Sequence, residues 1–408
     1  MKTDFDILVV GGGLAGMSAA LAAHASGFKT GIIAKKTPIS DGRTTALFMP
    51  SIEFLMSLGV WDDVKNNTSE LKTMRILDGT SRLIRSRPAS FHSSEIDLDA
   101  FGYNIPNKNL LDVLHTKMVE VGITIFDDFA IDLTSDEICA EVTCKNGTTI
   151  TALHIIAADG RNSVMRDKVG IGHSSWSYPQ KAIVLTFRHK LPHQNISTEF
   201  HRETGPFTQV PLPDVTPHDN KLKHRSSLVW AVGEHDDADL LSKSNAELSR
   251  IVEDQMQSLL GIVEIDSKPQ CYPMSSLIAK NFGKDRILLV GEAAHAFPPI
   301  GAQGLNLGLR DVMTAIDCIQ QGVGKPETVA SEYDKKRRAD VVTRTFGIDM
   351  FNRTLLTSFL PVQLIRSGTI AAVSAIPPLR HFMMRQGALP KGSLLKNLDQ
   401  EDMQNQTA

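Results

Sequence analysis

The chain is short of several things, and each shortage excludes something. Four cysteines in 408 residues, Cys139, Cys144, Cys271 and Cys318, form neither a disulfide framework nor a metal-ligand spacing, so no metal is expected. A reducing compartment suits them. Aromatics reach only 6%, and the three tryptophans, Trp61, Trp176 and Trp230, stand alone. No run approaches the roughly 18 uninterrupted apolar residues of a bilayer-spanning helix. The N-terminus passes from Lys2 into a strand-like run without the apolar region of a signal peptide. A formal charge of −3 gives no footprint for nucleic acid. The expectation is a cytoplasmic protein with two domains around a shared core.

What the chain does have is glycine at three strand-to-helix turns. Phe5 to Val10 (FDILVV) reads as a strand and runs into Gly11-Gly12-Gly13-Leu14-Ala15-Gly16, after which Ala19, Leu21 and Ala22 continue as a small-residue helix. A strand, a tight glycine turn and a helix N-terminus together offer unpaired N–H groups to a pyrophosphate. Leu153 to Ala158, a second strand, leads into Asp159-Gly160-Arg161 and another helix start. The third turn is the longest. Ile287 to Val290 ends at Gly291-Glu292-Ala293-Ala294-His295, crosses Pro298-Pro299-Ile300-Gly301-Ala302, and opens a helix carrying Leu305, Leu309 and Val312. Such a stretch is a cradle for an electron-rich ligand.

One expected element is absent. About 18 residues past Gly16, where an acid should close the second strand and bind a ribose, stands Ala34, followed by Lys35 and Lys36. Either the ribose finds another partner, or the lysines read a 2′-phosphate. The later motifs favour the first. In the loop from Thr37 to Leu47, Arg43 is a fork-shaped donor able to close over a pyrophosphate, or else a solvated turn residue.

The remaining elements are coarser. Ser51 to Trp61 reads as a helix capped by Ser51, Thr73 to Arg87 as a hairpin turning at Asp78-Gly79, and Asn107 to Val121 as a helix. Ile123 to Ala158 reads as three or four strands. Strands at Lys181–Lys190, Pro206–Leu212 and Ser226–Val232 suggest an inserted antiparallel sheet, followed by a helix over Asn245 to Gly261. A helical tail from Glu327 to Gln386 has a charged first part, Asp334 to Arg338, and an apolar later part bearing Arg353, Arg366, Arg380 and Arg385. It can be read as two short core-covering helices or as a membrane-surface face with snorkelling arginines. Leu398 to Ala408 is expected to fray.

The three turns, in this order, resemble those of the single-component FAD-dependent aromatic hydroxylases: GGGLAG at 11–16, AADGRNSVMR at 157–166 and GEAAHAFPPIGAQGLN at 291–306. The chain is most similar to the ubiquinone-biosynthesis hydroxylases, through DGRTTAL at 41–47, FGYNIPNKNLLDVL at 101–114, HQNISTEFHRETGPFTQVPL at 193–212, SSLVWAV at 226–232 and GLRDV at 308–312. It departs from them at Ala34, at Glu292 in place of Asp, and at Gly301-Ala302 in place of Ala-Gly.

The resemblance implies an α/β, hydroxybenzoate-hydroxylase-like fold. A Rossmann-like FAD-binding domain, in three parts (1–72, 99–175 and 277–326), would carry an inserted antiparallel β-sheet substrate domain (176–276, with strands from 73–98) and a C-terminal helical tail (327–408). It implies FAD as cofactor, held by Gly11, Gly13, Leu14, Ala15, Gly16, Lys35, Arg43, Asp159, Gly160, Gly291, Glu292, Pro299, Gly301, Ala302, Gly304, Leu305 and Asn306. It further implies NAD(P)H and O₂ as cosubstrates and hydroxylation of a polyprenylated phenol through a flavin carbon-4a hydroperoxide. N–H groups at Gly304, Leu305 and Asn306 would stabilise the reduced flavin, each by roughly 2–4 kcal/mol where water is excluded. The Pro299 carbonyl would accept the phenol proton. His295 is expected to be structural, and Asp311 a buried helix anchor. Partners implied are other quinone-biosynthesis enzymes and a peripheral membrane contact through the tail. A soluble hydroxylase of small phenols and a non-catalytic flavoprotein scaffold are the competing readings.

Overall fold

The computed structural model describes residues 3–35, 42–80, 85–215, 222–356, 368–369, 372–373 and 375–388. Lys36, Asp41, Arg366, the Leu398–Ala408 end and part of the 213–225 loop lie outside them.

Two large sheets organise the chain. The first has eight strands. Its main path runs β18 (Gly283–Lys284), β19 (Ile287–Leu289), β11 (Thr149–Ala157), β1 (Phe5–Val10), β2 (Thr30–Ile33) and β8 (Thr124–Phe126). The hairpin partners β9 (Ala130–Ser135) and β10 (Ala140–Cys144) extend from β11. From β19 to β8 the pairing is parallel. Parallel strands are covered on both faces and therefore read as unbroken apolar runs. Ile7, Leu8, Val9, Ile155, Ile156 and Ile287 to Val290 are accordingly all buried. Helix α1 (Leu14–Ala25) packs between α4 (Asn107–Glu120) and α8 (Gln303–Gln321). Its alanines, Ala19, Ala20, Ala22 and Ala23, are buried in the same core.

The second sheet has nine strands. Its path is β20 (His295–Ala296), β17 (Gln270–Ala279), β12 (His173–His189), β15 (His224–Gly233), β14 (Gly205–Leu212), β13 (Ile196–Arg202), β5 (Thr73–Asp78) and β6 (Ala89–His92), with β16 (Val263–Ile265) against β12. It is antiparallel except where β13 runs parallel to β5. Strand alternation splits its side chains between two faces. Leu228, Trp230 and Val232 join Phe187, Phe207 and the α7 (Asn245–Gln255) residues Leu248 and Val252 in one cluster. Ala182, Ala231, Tyr178 and Met274 join Ile300, of the third turn, in another. A three-stranded sheet of β3 (Thr44–Phe48), β4 (Ser69–Glu70) and β7 (Gly102–Pro106) lies between the two.

Several local expectations shift. Helix α2 (Met49–Ser57) begins before Ser51, whose hydroxyl donates instead to Asn306 Oδ1 at 2.8 Å. The Thr73 hairpin closes later than expected, through β6. The Asp78 carboxylate accepts from Thr80 N and Ser86 N, and residues 81–84 of the expected hairpin lie outside the described residues. Strand β13 and most of β17 went unread because their apolar residues are interrupted by His, Pro, Ser and Thr. Helix α7 stops at Gln255, short of Gly261. The charged start of the tail is one 31-residue helix, α9 (Pro326–Leu356). Tyr333, Val341 and Leu355 lie buried along it. The last described helix, α10 (Pro377–Ala388), buries Met384 and Ala388 against Ile96 and Phe101. Among the described residues no helix is long and apolar enough to cross a membrane.

Candidate functional site

The three glycine turns leave the same edge of the first sheet from neighbouring strands. Ala158 N donates to Val10 O at 2.8 Å, and Val290 N to Ala157 O at 2.9 Å, so the carboxyl ends of β1, β11 and β19 stand side by side. Ligands of open parallel sheets bind outside these ends.

The first turn divides its glycines between two tasks. A Cβ on Gly11, whose φ is +121°, would lie 2.2 Å from Ala158 O, and one on Gly16 would lie 2.0 Å from Gly11 O. These two let the turn pack on its neighbours. Gly13 differs, since a Cβ there meets nothing within 4 Å. It is the N-cap of α1, and no side chain caps that helix. Gly160, Gly301 and Gly304 face open space in the same way. The cradle is therefore bare backbone around a helix N-terminus, which fits a dinucleotide pyrophosphate.

The third turn straddles both sheets: β19 belongs to the first, while β20 pairs with β17 of the second. Its position is fixed from beneath. Asp311 Oδ2 accepts from Gly291 N at 3.0 Å and from His295 Nε2 at 2.6 Å, and Oδ1 accepts from Arg337 Nε at 2.7 Å. Burial alone would raise the Asp311 carboxyl. His295 and Arg337 more than offset it and hold the group below the ordinary carboxylate range. His295, only 2% exposed, also stacks on Phe297 at 5.8 Å. Both residues thus anchor the turn from within the core. Pro299 (φ −73°, ψ 42°) makes an inverse γ-turn in which Ile300 N donates to Pro298 O at 2.7 Å. Gly301 (φ 67°) and Ala302 (φ 51°) are both left-handed. The Asn306 amide steadies them: Nδ2 donates to Ala302 O and Ala46 O, while Oδ1 accepts from Phe48 N. With its side chain so engaged, Asn306 can offer a ligand only its backbone. Glu292 and Gly304 are exposed, and Leu305 is half-buried.

The other expected residues are placed as follows. Asp159 Oδ1 accepts from Ser163 Oγ at 2.5 Å and Oδ2 from Met165 N at 3.0 Å, so its carboxylate caps α5 (Val164–Lys168). Burial raises its pKa in spite of those bonds. Arg166 Nη1 reaches Ala293 O and ties this motif to the third turn. Lys35 Nζ lies 3.2 Å from Asp127 Oδ2. The Arg43 guanidinium stands over the Tyr272 ring at 5.7 Å, beside the second sheet.

Sequence reasoning missed Arg337, which sits in the charged run 334–338. The available signal was its register, four residues after buried Tyr333 and four before buried Val341. It also missed the cluster opposite the Ile300 loop, where Tyr178 Oη donates to Asp349 Oδ1 at 2.6 Å. A cavity of about 500 Å³ lined by Arg202, Trp230, His235, Asp236 and Gln255 contains no residue of the three glycine turns. It lies on the α7 face of the second sheet, away from Ile300.

Three glycine turns on adjacent parallel strands, roofed by a second sheet, define a dinucleotide-binding flavoprotein with the hydroxybenzoate-hydroxylase type of fold. The chain belongs to the FAD binding domain family, whose model matches residues 4–345. It is 29% identical over 395 residues to ubiquinone hydroxylase UbiL of Rhodospirillum rubrum, covering 93% of this chain and 88% of that protein. It is 27% identical over 394 residues to 3-demethoxyubiquinol 3-hydroxylase of Escherichia coli, covering 91% and 95%. In fold it is similar to the crystal structure of p-nitrophenol 4-monooxygenase PnpA from Pseudomonas putida, with a TM-score of 0.75 at 18% identity over 94% of this chain and 97% of that one.

Proposed function

We infer that this protein is an FAD-dependent monooxygenase that uses NAD(P)H and O₂ to hydroxylate the ring of a polyprenylated phenol in ubiquinone biosynthesis. The observation that carries this is the convergence of the three turns at one sheet edge, in a chain whose full-length relatives include named ubiquinone hydroxylases. Bound there, FAD would supply the redox chemistry, by which two electrons from the nicotinamide and one O₂ give one oxygen atom to the ring and the other to water.

The residues' own tasks follow from where they stand. Gly13, Leu14 and Ala15 open the α1 N-terminus to the pyrophosphate. Gly160 keeps the second turn clear, and Glu292 faces the ribityl hydroxyls. The N–H groups of Gly304, Leu305 and Asn306, at the α8 N-terminus, stabilise negative charge on the flavin ring. The Pro299 carbonyl accepts a hydrogen bond from the phenol hydroxyl, and the Ala182–Tyr178–Met274 face of the second sheet covers the substrate. On this reading 1–72, 99–175 and 277–326 hold the cofactor, while 73–98 and 176–276 cover the substrate.

The test is purification and anaerobic titration. The protein should carry a yellow chromophore, bleach with NADH or NADPH, and on aeration oxygenate a prenylated phenol. Failure to bind FAD after reconstitution would sink the assignment. Reduction without any phenol oxygenation would favour the scaffold reading.

The tail bears on the substrate's source. Arg380 is ion-paired with Glu95 and ties α10 to the chain before β7, while Arg353 pairs with Asp349 on its own helix and Arg385 with Asp97 at the surface. Large apolar residues are exposed on both helices: Val342, Phe346 and Met350 on α9, and Leu379, Phe382 and Met383 on α10. Phe346, 66% exposed, and Phe382, 56% exposed, suit a peripheral membrane contact. The double substitution Phe346→Asp/Phe382→Asp should abolish flotation with liposomes and leave turnover of a prenyl-free phenol unchanged. Wild-type protein that never floats, yet turns over small phenols fast, would point to the soluble hydroxylase.

A further inference from the structure

The missing acid at the end of β2 has a physical cause and a candidate replacement. Ala34 is buried, and a Cβ on Gly12 would lie 2.9 Å from its methyl group. The end of β2 is thus closed against the glycine turn. Strand β8 pairs with β2 in parallel, with Ile33 opposite Phe126, and Ala34 N donates to Phe126 O at 3.0 Å. That register sets Asp127 beside Ala34 on the same carboxyl edge, one strand further from Gly11–Gly16. A strand spacing is about 4.8 Å, comparable to the reach of one side chain.

We propose that Asp127 supplies the carboxylate for the adenosine ribose hydroxyls of FAD, replacing the acid that β2 lacks. Lys35 Nζ lies 3.2 Å from Asp127 Oδ2 and 3.4 Å from its carbonyl oxygen, holding the carboxylate along the sheet edge. Both side chains remain accessible, at 41% and 61% exposed. The pairing also gives the Lys35 ammonium a carboxylate partner, which disfavours a 2′-phosphate at this spot. The neighbouring acid is engaged elsewhere: Asp128 Oδ1 accepts from Phe129 N and Oδ2 from Asn146 N. Lys35 is on this account a positioning residue, and Asp127 the group that touches the cofactor.

The inference rests on FAD occupying the site, and the experiment separates the two claims. Apoprotein prepared from wild type and from Asp127→Asn is titrated with FAD, then with ADP and 2′,3′-dideoxy-ADP as competitors. Loss of one charge-assisted hydrogen bond should weaken FAD about tenfold or more. Wild type should prefer ADP to the dideoxy compound, and the variant should bind both alike with an unchanged thermal midpoint. If the Lys35–Asp127 pair is only a surface ion pair, the variant will bind FAD as wild type does and keep any ADP preference, which overturns the inference alone. Wild type that binds no FAD brings down the cofactor reading and this inference together.

Discussion

Gly13→Asp should leave the apoprotein as stable as before, or slightly more so, and lose FAD by about a thousandfold. The stability half follows from the local backbone. Gly13 is the N-cap of α1 with φ −82° and ψ 177°, a conformation open to any L-residue, and it has no protein atom within 4 Å of a built Cβ. Aspartate is among the preferred N-caps, better than glycine by a few tenths of a kcal/mol. The binding half follows from the same hydrogen bonds. A carboxylate there accepts from the first-turn N–H groups that a pyrophosphate would use, and it adds a like charge to the site. Losing two charge-assisted bonds costs about 4 kcal/mol, roughly three decades in affinity. Gly16→Ala should do the reverse. Its Cβ meets the Gly11 carbonyl at 2.0 Å, which is backbone and cannot swing away, so the apoprotein itself should melt early. FAD fluorescence titration and melting of the stripped proteins check both. A Gly13→Asp protein that keeps FAD within tenfold of wild type would show that the first turn is not the pyrophosphate seat.

That contrast marks how far the sequence could be read. The spacing of Gly11, Gly13 and Gly16 identified the turn, but it could not say which glycine faces a ligand and which faces the fold. The division depends on Ala158, which is 142 or more residues away in the chain and adjacent only once β11 pairs with β1. The parallel sheet was legible because burial on both faces writes itself as runs such as FDILVV and ILLV. The second sheet was less so. β13 and β17 carry His, Pro, Ser and Thr between their apolar residues, and β13 pairs with β5, over a hundred residues upstream. Ser51 looked like a cap from its residue type. Only the fold brings it to Asn306, so that the turn at Ala302, the strand at Phe48 and helix α2 share one amide.

Asp311→Ala should be the most damaging single change to the scaffold, costing about 3–5 kcal/mol. Asp311 and Arg337 side chains are 1% and 5% exposed, and their bond of 2.7 Å lies where neither can recruit water. Deleting the carboxylate strands the guanidinium, because the remaining partner, Asp340, already serves Arg310 and Arg344 as well. Removing one member of a buried pair costs far more than the pair contributes, since the survivor keeps its desolvation penalty. The loss also reaches the site. Gly291 N and His295 Nε2 lose their shared acceptor, and these two residues bracket Glu292 at the turn beneath the cofactor. FAD affinity should therefore fall together with the urea midpoint of the apoprotein. Asp311→Asn provides the control. An amide keeps the shape and can still accept through one oxygen, so it should recover part of the stability without restoring the charge that Arg337 requires. An unfolding free energy for Asp311→Ala within about 1 kcal/mol of wild type would mean that the network adds little and that the turn is held by β19 and β20 alone.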